Sequence, residues 1–306
     1  THIATSLTIS RLSKKNMWIK KPEKLCFLWV IPPIMSENLD NNGLRSIIKN
    51  YDIFYIDLWG VVHNGITLHK NAIEALEKIT KARKQYVLLT NAPRPNKTVR
   101  SFLEKMGMNK EIREKVFSSG EAALTYIKKN LLDDKFYHLG PARDFDLYFN
   151  FKKNKTMNIK ESSYFLCTGL FEEYGEDLKY YKKLFKKHIN KKMICTNPDL
   201  IVDRGDKREL CAGSVAGIFK KMGGEVIYFG KPFPEVYNQS IENKEKRVLS
   251  IGDNLNTDIK GANLLNYDSL LISNGVHKDE IKKEGIDVVS KNYEVIINFI
   301  QTELKW

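Results

Sequence analysis

Several things are scarce in this chain, and each scarcity excludes a class of function. Only four cysteines occur in 306 residues, Cys26, Cys167, Cys195 and Cys211, and they form no Cys-x-x-Cys pair and no Cys/His metal spacing. A thiolate metal centre and a disulfide framework are therefore not expected, and the four read as reduced, mostly buried thiols of a cytoplasmic protein. No apolar run reaches the roughly 18 to 20 residues that a membrane-spanning helix needs. There is no internal repeat and no low-complexity linker. Basic residues outnumber acidic ones for a net charge of +13, which favours anionic partners. Yet the lysines are scattered, with no arginine-rich or aromatic-interleaved cluster. They read as a solvated surface, and neither nucleic acid nor a membrane is an expected partner.

The first 34 residues differ from the rest. "KKPEKLCFLWVIPPI" has a basic start and about ten apolar residues, as a signal peptide does. It lacks a small-residue cleavage site and ends in Pro32-Pro33. These residues read as an N-terminal extension outside the core, with Met35 opening the natural protein.

From Asp52 onward, short apolar runs alternate with segments of helical period. "DIFYID", "QYVLLT", "EVIYFG", "RVLSIGD" and "YDSLLIS" read as strands. "NAIEALEKITKAR" places Ala72, Ile73, Leu76 and Ile79 on one face of a helix, and "SVAGIFKKM" and "TDIKGANLL" read as helices too. Such alternation predicts a doubly wound, mostly parallel α/β sheet covered on both faces. Residues 119–207 break the rhythm with "SSYFLCTGL", the amphipathic "EDLKYYKKLFKKHI" and the strand-like "KKMICT". They read as an inserted second α/β domain between core segments 35–118 and 208–306, in keeping with a length suited to about two domains.

Ligands of open parallel sheets bind at the carboxyl ends of the strands. Asp57 ends the first run, Thr90 and Asn91 the second and Asp253 a later one, while Lys231 follows "YFG". Singly these are weak signals. Together, Asp57 and Asp253 offer hard oxygen ligands for Mg²⁺. Thr90, Asn91 and Lys231 can neutralise and orient a phosphoryl group. Arg94 reads as a solvated loop arginine, and His63 and His69 as loop residues.

The ordered set "DLWGV … LLTNAPRP … FGKPFPEVY … IGDNLNTDIKGA" resembles the four motifs of the haloacid dehalogenase superfamily. It is most similar to the class IIA branch, which includes nitrophenyl-phosphatase-like, phosphoglycolate and pyridoxal phosphate phosphatases. "CTNPDLIV" resembles a segment of that branch's cap. The resemblance, over roughly residues 50–300, implies a Mg²⁺-dependent phosphatase for a small phosphorylated metabolite. Asp57 would be the nucleophile and a metal ligand. Asp253 and the backbone carbonyl of Trp59 would also hold the metal, and Asp258 would orient Lys231 or metal-bound water. Thr90, Asn91, Lys231 and Asn197 would face the substrate phosphate, with Asn197 and Asp199 near the cap–core junction. The inserted domain would be a cap that closes over the substrate, and a candidate surface for a homodimer.

One residue departs from that pattern. Two positions past Asp57, where such phosphatases carry an aspartate that protonates the leaving group and activates water, stands Trp59. An indole only donates and cannot shuttle a proton. Losing a positioned acid–base costs about 10² to 10⁴ in rate. Three outcomes follow from the sequence. The protein is a slow phosphatase for good leaving groups, it uses another acid such as His63, or it binds a phosphorylated ligand without turnover. An aromatic residue here also resembles the dehalogenases of the superfamily, but the intact "GDNLNTD" argues against that chemistry.

Overall fold

The computed structural model describes residues 36–204, 207–241 and 246–306. The N-terminal 34 residues, Met35 and Cys26 lie outside that range. Thirteen strands are present among the described residues: β1 (Glu37–Asn38), β2 (Ile53–Ile56), β3 (Gln85–Thr90), β4 (Val116–Ser118), β5 (Phe136–Leu139), β6 (Tyr164–Cys167), β7 (Lys192–Cys195), β8 (Ile201–Arg204), β9 (Lys207–Leu210), β10 (Glu225–Tyr228), β11 (Val248–Gly252), β12 (Asp268–Ile272) and β13 (Phe299–Gln301).

Seven of them form one sheet in the order β1-β13-β12-β11-β2-β3-β4, with every neighbouring pair parallel. All residues of β2 and β11 are buried, as expected of central strands with helices on both faces. Because successive side chains point to opposite faces, Phe54 and Ile56 join one hydrophobic cluster while Ile53 and Tyr55 join another. The first cluster is closed by the helix Lys70–Lys81, which buries Ala72, Ala75, Leu76 and Ile79. The second is closed by Ser119–Asn130 and Pro234–Ser240, through residues such as Ala122, Ile127 and Tyr237.

A second, smaller sheet has the order β10-β7-β6-β5, again all parallel, and β8 and β9 pair as an antiparallel hairpin. The helices Leu178–Phe185 and Ala212–Lys221 cover this sheet around Phe165, Phe185 and Phe219. Here the structure revises the sequence reading. Glu225–Tyr228, expected in the second core segment, pairs with Lys192–Cys195, so the second sheet runs on to residue 228 instead of ending at 207. The cause is plain: an apolar run ending in glycine suits an edge strand of either parallel sheet, and its pattern does not say which. The second hydrophobic cluster also takes residues from both sheets, Tyr55 and Leu89 from one and Leu166 and Ile194 from the other. The described residues accordingly form one compact unit.

The three unpaired thiols among the described residues, Cys167, Cys195 and Cys211, are buried as expected. No helix among the described residues is long and apolar enough to cross a membrane.

Candidate active site

The strand order β11-β2-β3 brings the ends of three central strands side by side. Asp57 follows β2, and its N–H donates to the Ile251 carbonyl of β11 at 2.9 Å. Thr90 closes β3, Asn91 follows it, and Asp253 follows β11. Lys231 enters from the loop after β10 and is 3% exposed. Chain segments 140 and 174 residues apart thus meet at one buried polar centre.

All three donors of the Lys231 ammonium have partners. Nζ donates to the Asp57 carboxylate, to Asp258 Oδ1 at 2.7 Å and to the Leu89 carbonyl at 2.7 Å. Its backbone is held equally firmly. Asn91 Oδ1 accepts the Lys231 N–H at 2.7 Å, and Asn91 Nδ2 donates to the Lys231 carbonyl and to Asp199 Oδ1, each at 3.0 Å. Asn91 is therefore a template that fixes Lys231. Thr90 is buried, lines the same cavity, and its hydroxyl accepts the Ala92 N–H at 3.2 Å.

One carboxylate oxygen from each of Asp57, Asp253 and Asp258 lies within 4.8 Å of the others. Asp258 has both oxygens engaged, Oδ1 by Lys231 and Oδ2 by the Asn254 N–H at 3.1 Å. That matches an orienting role more than a ligating one. Asp253 Oδ2 accepts the Val276 N–H at 2.9 Å. Gly60 and Gly275 let the backbone close around Asp253, since a Cβ on either would fall 2.2 Å from its Oδ2.

The electrostatics of this centre fit a divalent cation. Three buried carboxylates face a single ammonium, and Lys231 pairs with Asp57 and Asp258. Burial raises Asp57 to about 7, against the opposing pull of Lys231 and with Asp258 adding to the rise. Burial, Asp57 and Asp258 push Asp253 well above the carboxylate range. Burial alone would lower Lys231, but Asp258 and Asp57 outweigh it and hold the ammonium protonated. The excess of crowded negative oxygens is what a hard cation relieves.

The Trp59 indole is engaged by the hairpin. Its Nε1 donates to the Asp203 carbonyl on β8 at 2.5 Å, and the Arg204 guanidinium lies 5.1 Å from its ring centre. Gly65, at φ +86°, makes room for the ring, since a Cβ there would come within 2.5 Å of it. The sequence pattern gave no sign of this partner, which lies 144 residues on.

Other sequence expectations fare differently. His63 is 3% exposed, packs edge-on against Trp59 and Phe102, and accepts the Gly65 N–H at Nδ1. Burial and His69 lower it to about 4, which favours the neutral imidazole at pH 7, and its one ring proton, on Nε2, is held far more tightly than an imidazolium proton. Arg94, with its side chain 34% exposed, is not a free loop arginine: it pairs with Asp146 at 3.1 Å and donates to the Arg143 carbonyl at 2.9 Å. That ties the loop after β3 to the segment after β5. Asn197 lines the cavity, but its Oδ1 closes a turn onto the Asp199 N–H at 2.9 Å. Asp199 is the residue that reaches Asn91.

Asp57, Thr90, Asn91, Asp199, Lys231 and Asp253 border one cavity of about 650 Å³, walled by the core strand ends on one side and the hairpin on the other. That volume lies within the usual range for small-molecule sites.

Comparison with known proteins places this geometry. A family model described as haloacid dehalogenase-like hydrolase matches residues 54–149, and one described as HAD-hydrolase-like matches residues 228–295. Phosphoglycolate phosphatase 2 of Arabidopsis thaliana is 25% identical over 270 residues, covering 78% of this chain and 88% of that one. Among solved structures, a glycerol phosphate phosphatase of Mycobacterium tuberculosis in complex with magnesium shares the fold, with a TM-score of 0.57, 22% identity and coverage of 75% and 70%. A haloacid dehalogenase-like hydrolase from Brucella suis 1330 superposes with a TM-score of 0.70 at 30% identity, over 77% of this chain and 90% of its own. Both matched segments carry parts of the buried centre, Asp57 with Thr90 and Asn91 in one and Lys231 with Asp253 and Asp258 in the other, and the chain belongs to the haloacid dehalogenase-like hydrolase family.

Proposed function

We propose that the protein hydrolyses the phosphate monoester of a small metabolite, with Asp57 as nucleophile. The observation that carries this reading is the Lys231 ammonium, buried between Asp57 and Asp258 in the wall of the cavity. An Asp57 oxygen attacks phosphorus, the bond to the leaving oxygen breaks, and an aspartyl phosphate remains. Water then attacks the same phosphorus, releasing inorganic phosphate and returning Asp57. Lys231 and the Thr90 hydroxyl stabilise the phosphoryl oxygens while charge builds on them. Asp57, Asp253 and the Trp59 carbonyl would hold a Mg²⁺ ion, which when bound supplies positive charge next to the transferring group. The second sheet and hairpin serve as the cover that keeps water out. The reading agrees with the names of the relatives above, and a cytoplasmic setting suits three buried, unpaired thiols.

The Trp59 side chain favours one rival, a binder of phosphorylated ligands that turns them over weakly or not at all. The test is phosphate release from a panel of phosphomonoesters with Mg²⁺, run on the native chain, Asp57→Asn and Trp59→Asp. Release by the native chain that disappears in Asp57→Asn supports the hydrolase. A native chain that is stabilised by phosphate and Mg²⁺ yet releases nothing leaves the rival standing.

A further inference from the structure

Hydrolysis as proposed above needs a proton for the leaving oxygen and later a base for water, and Trp59 can be neither. Several titratable groups of the cavity are already committed elsewhere. His63 is neutral, with Nδ1 already occupied. Asp258 is committed to Lys231 and the Asn254 N–H, and Asp253 to the Val276 N–H and the cation centre. Asp144 lies under Arg94 at 4.0 Å. Asp203 is bound by Arg208 at 2.7 and 2.9 Å, and Glu209 by Arg204 at 3.4 Å. Glu176 accepts the Leu210 N–H, and Glu172 is largely exposed beside Arg143.

Asp199 is different. It follows β7 at the seam between the two sheets and lines the cavity with Asp57. Its backbone is fixed at both ends: the N–H donates to Asn197 Oδ1 at 2.9 Å, and the carbonyl accepts the Gly213 N–H at 3.1 Å. Gly213 permits that approach, because a Cβ there would fall 2.5 Å from the Asp199 carbonyl oxygen. The carboxylate is bonded by two neutral groups, the Asn91 amide at 3.0 Å and the Thr257 hydroxyl. Asn91 donates from the same nitrogen to the Lys231 carbonyl, so the two side chains are set by one template.

We infer that Asp199 is the acid–base that the Trp59 position lacks. In the first half-reaction an Asp57 oxygen bonds to phosphorus, the ester P–O bond breaks with its electron pair on the leaving oxygen, and the Asp199 proton passes to that oxygen. The products are an alcohol, an aspartyl phosphate and an Asp199 carboxylate. In the second, a water oxygen bonds to phosphorus and its proton passes to Asp199. The bond from phosphorus to Asp57 breaks with its pair on Asp57, which restores both carboxyl groups. Burial raises Asp199 to about 6, with Lys231 and Asn91 only partly opposing it. Both of its protonation states are therefore available near neutral pH, as both half-reactions require.

The test is leaving-group dependence in the full chain with Mg²⁺, comparing the native protein, Asp199→Asn and Asp57→Asn. Two substrates serve: p-nitrophenyl phosphate, whose leaving group needs little protonation, and the alkyl phosphate that the panel above shows is turned over fastest. Asp199→Asn should lose about 10² to 10⁴ in kcat/KM on the alkyl ester. On p-nitrophenyl phosphate it should give a stoichiometric burst of nitrophenol, then slow turnover as the aspartyl phosphate accumulates. Equal losses on both esters with no burst, or no loss on either, overturn the inference. A native chain that cleaves neither ester, or an Asp57→Asn that cleaves both, instead overturns the hydrolase reading itself. Should Asp199→Asn fail to fold by circular dichroism, Asp199→Ser carries the same comparison.

Discussion

Trp59 and Asp203 are joined across the cavity: the indole N–H donates to the backbone carbonyl at 2.5 Å and fastens the loop after β2 to the hairpin β8–β9. Arg208, on the same hairpin, pairs with the Asp203 carboxylate and donates to the Val276 carbonyl at 3.0 Å. The Val276 N–H in turn holds Asp253. The hairpin is thus tied to the loop that carries Asp57 and to the loop that holds Asp253. A residue type that cannot move protons has been put to work as a clasp.

Trp59→Ala should release that clasp. Amide hydrogen exchange in residues 201–204 and 207–210 should rise sharply, while β2 and β11 stay protected. The loss in global stability should be about 3 kcal/mol, the low end for removing a large aromatic side chain, because the ring is only half-buried. Trp59→Asp should loosen the hairpin equally, whatever it does to turnover. Unchanged exchange in the hairpin would show that Arg208 and the β8–β9 pairing suffice without the indole.

Lys231→Met should cost more than a surface lysine could. It removes the ammonium between Asp57 and Asp258 and leaves crowded carboxylates in a buried site. Breaking a buried ion pair from one side costs about 3 to 5 kcal/mol. The deficit read from urea unfolding should be larger at pH 8 than at pH 5, where the carboxylates take up protons. A deficit that does not change with pH would point to lost packing as the cause.

How far the sequence led can be judged from these same residues. Asp57, Thr90, Asn91, Lys231 and Asp253 were legible because each ends or follows a short apolar run, and the parallel sheet aligns those ends. The helix Lys70–Lys81 was legible because its apolar residues repeat at helical spacing. Trp59–Asp203 and Arg94–Asp146 were not legible, since neither contact leaves a periodic trace and the partners lie 144 and 52 residues apart. The placement of β10 failed for a related reason. Strand patterning reports how apolar a run is, and the pattern of Glu225–Tyr228, exposed at Glu225 and partly buried after it, does not name the sheet it joins.

Divalent cations should stabilise the protein through Asp253. Adding Mg²⁺ to chelator-treated protein should raise the thermal midpoint, with about 2.7 kcal/mol gained at a hundred times the dissociation constant. Asp253→Asn should abolish the gain while removing one of the mutually repelling carboxylates, so the metal-free variant should be at least as stable as the metal-free native chain. A midpoint shift that persists in Asp253→Asn would place the cation elsewhere.

Acid should weaken the fold through a buried histidine with no part in the proposed chemistry. His138 is 5% exposed, with Nε2 2.9 Å from the Thr168 hydroxyl and its ring packed on Tyr148. Burial and the Lys155 charge lower it to about 3, against about 6.5 in an unfolded chain. The folded state therefore binds fewer protons than the unfolded state between those values. The stability His138 contributes is complete above pH 6.5 and is lost as pH falls toward 3, at up to about 1.4 kcal/mol per pH unit. Asp144, raised to about 6 chiefly by burial, works in the opposite sense, so the native pH curve mixes both signs. The difference between native chain and His138→Gln isolates the histidine: their unfolding free energies should converge as pH drops from 7 to 4.5. Parallel curves over that range would mean that His138 gains a proton in the folded state as readily as in the unfolded one.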